Sequence, residues 1–258
     1  MTAVSAQSVQ SLRARTGVSI SAVRDALEAA GGDEEKAIEI LRKRGQAQAV
    51  KKASRDQTEG AIFAATDGSK AALILLKCET DFVARDAGFR TLGQELADTL
   101  LKKGPDAQKK LVEEKIPAAV QKLGENISVG ESILVDAAVI GTYVHSNNKI
   151  GVIVGLDKGS ADAAKDVAMH AAAMNPLYTT ADEVPAAAIE KEKEIWREQL
   201  KKEGKPEAMF DKIMMGKEKK FREENALVKQ AFVKDPGKTI EQYLGDAKVV
   251  SYMRVAIG

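Results

Sequence analysis

The chain has 258 residues, 44% hydrophobic and 30% charged, which is enough apolar material for a real core and enough length for more than one compact unit. Its 39 Lys and Arg residues balance 38 Asp and Glu to a net charge of +1, which argues against nucleic acid as a main partner. A single cysteine, Cys78, excludes an intrachain disulfide framework or multi-thiolate zinc site, and with only His145 and His170 beside it neither a catalytic residue nor a metal or other cofactor is expected.

No apolar run approaches the ~20 residues that span a bilayer. The start, MTAVSAQSVQ, has neither the basic opening nor the apolar stretch of an export signal, and the first arginine, Arg13, already lies inside a helical pattern. A cytoplasmic protein without membrane contact is expected.

Residues 4–45 contain three short helical patterns, the core of an N-terminal docking head at 1–45. The first carries Val4, Val9 and Leu12 and stops at Thr16-Gly17. The second starts near Ser19 or Ser21, carries Ile20, Val23 and Leu27, and stops at Gly31-Gly32. The third opens on Asp33 with Glu34 and Glu35 in its first turn, turns Ile38 and Leu41 inward, and ends on Arg42, Lys43 and Arg44 before Gly45. Residues 46–58, with few large apolar side chains, are predicted to be a linker, partly helical at most.

The period then changes. Residues 61–66, a turn at Asp67-Gly68 and residues 70–79 predict a β-hairpin, with Ala72, Ile74, Leu76 and Cys78 on one face. Phe89, Leu92, Leu96 and Leu100 form one helical stripe that Gly104-Pro105 ends, and a second helix is predicted over 107–123. The pattern recurs as a strand over 133–144, a turn at Asn147-Asn148, a strand over 150–156 and a helix over 161–174 stopped by Asn175-Pro176. These units predict an α+β fold with a duplicated strand-strand-helix core, its halves at 59–130 and 131–258. Residues 249–257 would form a further strand that returns to one of the sheets.

Residues 185–224 differ in texture: two highly charged helical halves, each opened by a proline, the first ended by Gly204. Sparse apolar residues, Ile189, Ile195, Trp196 and Leu200 against Met209, Ile213, Met214 and Phe221, predict an antiparallel helical hairpin that protrudes from the core. It is either an arm for a partner or a homodimer, or a solvated insertion.

Few residues stand out as chemistry. Cys78 falls in an apolar strand series, where a free cysteine is a small buried hydrophobe. His170 lies within a helix and fits a satisfied structural role, whereas His145, beside a hairpin turn, either faces a partner or stabilises the turn. The segment Thr80-Asp81-Phe82-Val83 follows a strand and puts an aromatic beside a carboxylate in a connection. Phe82 is either an exposed anchor or a plug under the next helix.

TDFV between a strand and a helix, with LRARTG near the N-terminus, resembles the elongation factor Ts family, the guanine-nucleotide exchange factors of the translation GTPase elongation factor Tu. GGDEEKAIEILRKRG, CETDFVARDAGF, LGENI, GTYVHSNNKIGV, DVAMHAAAMNP and FVKDPGKT follow in the family's order over essentially the whole chain. The resemblance implies a UBA-like head and an element, Thr80 to Val83, whose Asp81 and Phe82 enter the GTPase near its magnesium and phosphate sites. It further implies contacts from Arg13, Ile20 and Arg24 in the head and from Leu123, Gly124, His145, Val233 and Lys234 in the body. Where many relatives carry Gly-Met-Met, this chain has Ser19-Ile20-Ser21, which makes the head's apolar contact smaller. Many relatives also continue into a helical C-terminal module past the last strand, whose contacts are expected to be absent or replaced here. The competing classes are a non-catalytic adaptor, whose head docks a peptide or ubiquitin-like surface, and a hydrolase built on Cys78.

Overall fold

A computed structural model describes residues 4–257. Three helices open it: α1 (Ala6–Thr16), α2 (Ile20–Ala29) and α3 (Glu34–Lys52). Each starts on a side chain that accepts an otherwise unpaired N–H: Ser5 from Ser8, Ser19 from Ala22 and Asp33 from Lys36. Leu12, Val18, Val23, Leu27, Ala37 and Leu41 close a small core of their own, with Val4 and Val9 packed against it.

The third helix does not end at Gly45. It runs on to Lys52, so residues 46–52 are helical. Gly45 serves close packing instead: a Cβ there would stand 3.0 Å from the Pro117 carbonyl oxygen, so the missing side chain is what lets α3 lie against a later helix.

Strands β1 (Glu59–Thr66), β2 (Lys70–Cys78) and β3 (Ser128–Asp136) make one antiparallel sheet in that order. Strands β4 (Val139–Val144), β5 (Ile150–Leu156) and β8 (Val249–Ala256) make the second, so the final strand returns beside β5 as expected. The single strand expected over 133–144 is thus two strands, broken at Ala137-Ala138, each belonging to a different sheet. An unbroken strand would have to pair in both sheets at once.

The sheets pack on each other through Ile62, Leu73, Leu75, Val135, Ile140, Ile153 and Val255. Helix α5 (Ala87–Leu123) covers the outer face of the first, where Ala72, Ile74, Leu76 and Cys78 meet Phe89, Leu92, Leu96 and Leu100. It is two helical runs, 87–103 and 105–123, separated by Gly104, whose φ of 80° breaks the ladder just before Pro105. Helix α6 (Ala161–Met174) covers the second sheet, where Val152, Val154 and Leu156 meet Val167 and Ala171. The fold is α+β, and burial on both faces explains why β2 reads as a continuous apolar run.

Between α6 and β8 stand α7 (Ala186–Lys202) and α8 (Phe210–Asn225), joined by Trp196 edge-on to Phe221 at 5.9 Å and by Leu200, Phe210 and Met214. Ile195 and Met209, expected in this seam, are about half exposed instead. The Arg222 guanidinium donates to the carbonyls of Ala181 and Val184, tying the foot of α8 to the segment before α7. A short hairpin, β6 (Ala231–Phe232) and β7 (Asp235–Thr239), and helix α9 (Ile240–Leu244) complete the chain before β8.

Candidate functional site

Beyond Cys78 the chain leaves the first sheet and forms a single helical turn, α4 (Asp81–Ala84). Thr80, extended at φ −126°, caps it by accepting the Val83 N–H at 3.4 Å. Asp81 opens the turn, where a carboxylate suits the helix dipole, and pairs with Arg85 at 2.9 Å. Val83 and Ala84 face the core, whereas Phe82 is 82% exposed. Asp86 then starts α5 by accepting the N–H groups of Gly88 and Phe89 at 2.7 and 3.1 Å. Of the two roles open to Phe82, the plug is excluded: it is not under the next helix.

The turn is backed by the loop after α5. The Glu125 carboxylate accepts the backbone N–H groups of Glu79 and Thr80, both at 3.0 Å, and the Thr80 hydroxyl at 2.6 Å. Glu79 returns the bond by accepting the Asn126 N–H at 2.6 Å. Leu123, packed on the core, and Gly124, which ends α5 at φ 79°, lead directly into this clasp. The sequence-predicted positions 80–83 and 123–124 are therefore brought together by Glu125, which was not among them.

The other predicted positions lie elsewhere. Arg13 on α1 and Ile20 and Arg24 on α2 are exposed, the last two one helical turn apart, and Arg24 lies 3.7 Å from Glu28. His145 sits in the β4–β5 connection, its Nδ1 2.9 Å from the Asn147 side-chain oxygen and its N–H donated to the Ile150 carbonyl, so it does hold the turn. Among the described residues no hydrogen bond or ion pair joins these positions to the 80–83 turn.

Val233 and Lys234 sit at the tip of the β6–β7 hairpin over buried His170. The Val233 N–H donates to His170 Nδ1 at 3.3 Å, which leaves the ring proton on Nε2 for the Gln230 side-chain oxygen at 3.0 Å. Burial pushes the imidazole pKa down, against the smaller opposing effect of Gln230. Lys234 reaches Asp166 at 2.7 Å and the Tyr243 hydroxyl donates to the same carboxylate at 3.0 Å. The Lys234 bond leads in holding the Asp166 carboxyl below its usual range.

Cys78 is a poor nucleophile. It is buried, donates its thiol to the Thr80 carbonyl at 3.2 Å, and its pKa is pushed up to about 12 by burial and then by the Glu125 and Glu59 carboxylates. Among the described residues no three His, Cys, Asp or Glu side chains gather as metal ligands would. A cleft of about 380 Å³ lies between the head and α5, lined by Val18, Ile38, Leu41 and Pro117, and does not include the 80–83 turn. Among the described residues no helix is long and apolar enough to cross a membrane.

An aromatic presented to solvent on a capped turn is a candidate contact feature. Comparison with known proteins gives the chain its class, the translation elongation factors. Residues 79–258 match the family model described as Elongation factor TS. The chain is 42% identical over 261 residues to "Elongation factor Ts" of Deinococcus radiodurans, with 98% of this chain and 99% of the relative covered. It is 41% identical to the protein of the same name from Deinococcus deserti, with the same coverage, and 42% identical to that of Francisella tularensis subsp. novicida over 100% and 93% of the two chains. The chain belongs to the elongation factor Ts family.

Proposed function

We propose that the protein binds elongation factor Tu and promotes release of GDP, with Asp81 and Phe82 as the element that enters the GTPase near its magnesium and phosphate-binding groups. The observation that carries this is the 82% exposure of Phe82 on a turn whose backbone is held at both ends. A partner that binds the nucleotide-free GTPase more tightly must, by linkage, weaken nucleotide binding by the same factor. No covalent step is required, and the protein is not an enzyme in the chemical sense. Phe82 supplies apolar binding energy to wedge the partner open, and the Asp81 carboxylate acts on the magnesium arrangement or on a displaced donor.

The remaining surface follows from this assignment. The UBA-like head at 1–45 docks the GTPase through Arg13, Ile20 and Arg24, and a connection at 46–58, helical in its first part, leads to the two halves of the core. These part at Ala137-Ala138 rather than at 130/131, since β3 runs through 130/131 in the first sheet. Leu123, Gly124, His145, Val233 and Lys234 extend the contact along the body. The helical arm at 185–224 is a protruding antiparallel coiled coil that meets a partner or a second copy of the chain. The protein works in the cytoplasm, with no direct contact to nucleic acid or membrane. Stopped-flow release of fluorescent GDP from elongation factor Tu, with and without the protein, tests the proposal; an unchanged release rate would refute it.

A further inference from the structure

We infer that Glu125 is the positioning residue of the exchange turn, an inference that rests on the function proposed for Phe82. Its carboxylate collects three donors from two consecutive residues, the N–H groups of Glu79 and Thr80 and the Thr80 hydroxyl, immediately before Asp81. Bonds to an ionised acceptor are roughly twice as strong as neutral ones. They hold Thr80 extended, in the conformation from which it caps α4, while the Cys78 thiol donates to its carbonyl oxygen.

Phe82 is largely exposed in the free protein, so its direction is set mainly by the backbone beneath it. Fixing that backbone before binding removes an ordering cost that would otherwise be met on association. Glu125 is itself held. Lys52 donates to the Gly124 carbonyl, and the Asn126 side chain donates to the carbonyls of Ala53 and Arg55, at 3.4 and 2.9 Å. The end of α3 thus braces the 124–126 loop, and the loop braces the turn. Glu125 acts through Thr80 and requires no contact with the partner.

Glu125→Met keeps the length of the side chain but offers the three donors no acceptor. Glu125→Gln can turn its oxygen to the two N–H groups and its NH2 to the Thr80 hydroxyl. Stimulated GDP release from elongation factor Tu is measured for the full chain with each substitution, alone and with Phe82→Ala, beside a thermal melt. We expect Glu125→Met to slow release by about tenfold and to lower the melting temperature while keeping the transition cooperative, because three part-buried donors lose their acceptor. Glu125→Gln should recover most of both. In the Phe82→Ala background Glu125→Met should add no further loss, because the side chain it orients is gone. Full activity of Glu125→Met, an equal loss in both backgrounds, or loss of its cooperative melt would overturn the inference. A parent that fails to stimulate release would instead refute the proposed function itself, so the two failures are told apart.

Discussion

The Val233 N–H is donated to the buried Nδ1 of His170 at 3.3 Å, so the hairpin tip that carries Lys234 is built on a neutral imidazole. A proton on Nδ1 would put two donors face to face and break the support.

That arrangement fixes the sign of a pH effect. Burial depresses the folded-state pKa of His170 below its ordinary 6.5, so below that value the unfolded chain binds the proton more readily. The stabilisation is complete above about pH 6.5 and is lost as the pH falls through the lowered folded value. Melting temperatures recorded from about pH 7.5 down to about pH 5 should fall for the parent and fall less for His170→Gln. Parallel curves for the two proteins would contradict this account.

Phe82→Ala should separate function from stability. Truncating a central aromatic anchor costs about 2 kcal/mol or more of binding, roughly thirtyfold in exchange. The melt should move little, since the ring is 82% exposed. Phe89→Ala is the control: that ring is fully buried, and its loss should cost about 3–5 kcal/mol of stability. Asp81→Ala should likewise reduce exchange while leaving the melt almost unchanged.

Gly45→Val tests the contact between the head's last helix and α5. In an isolated helix, replacing glycine with valine gains only about a few tenths of a kcal/mol, because valine is itself a poor helix former. Here the new side chain would meet the Pro117 carbonyl and the Gln121 side chain, both within 3.1 Å of its Cβ, and should destabilise by about 1–3 kcal/mol. Urea denaturation reads the sign directly, and a gain in stability would show that α3 and α5 are not packed so closely in solution.

Cys78 should react slowly with iodoacetamide in the native state. With its pKa near 12, only about one molecule in ten thousand carries the thiolate at pH 8. Labelling should become fast in denaturant. Rapid native labelling would restore the thiol as a candidate nucleophile.

Much of this was legible in local pattern. The stripe of Phe89, Leu92, Leu96 and Leu100 and the alternate face of β2 both reach the same buried core, and TDFV is the turn that presents Phe82. What escaped depends on distant chain. A glycine that ends a helix and one that admits a neighbouring helix look alike in sequence, and Gly45 is told apart only by Pro117. The break at Ala137-Ala138 follows from there being two sheets to serve. Glu125 was hidden because its three bonds span 45 or 46 positions and leave no periodic trace.

The second sheet has a consequence for biosynthesis. The first sheet is complete once residue 136 has been made, but β5, finished at Leu156, waits for β8 to begin at Val249. At about 5–20 residues per second, that interval lasts roughly 5 to 20 s on the ribosome. Throughout it the side of β5 that β8 will occupy is an open apolar edge, Val152, Ile153 and Val154 among its residues. Nascent chains stalled before residue 249 should therefore be the ones that recruit chaperones or mispair, and translation speed across α7 and α8 should govern the yield of folded protein.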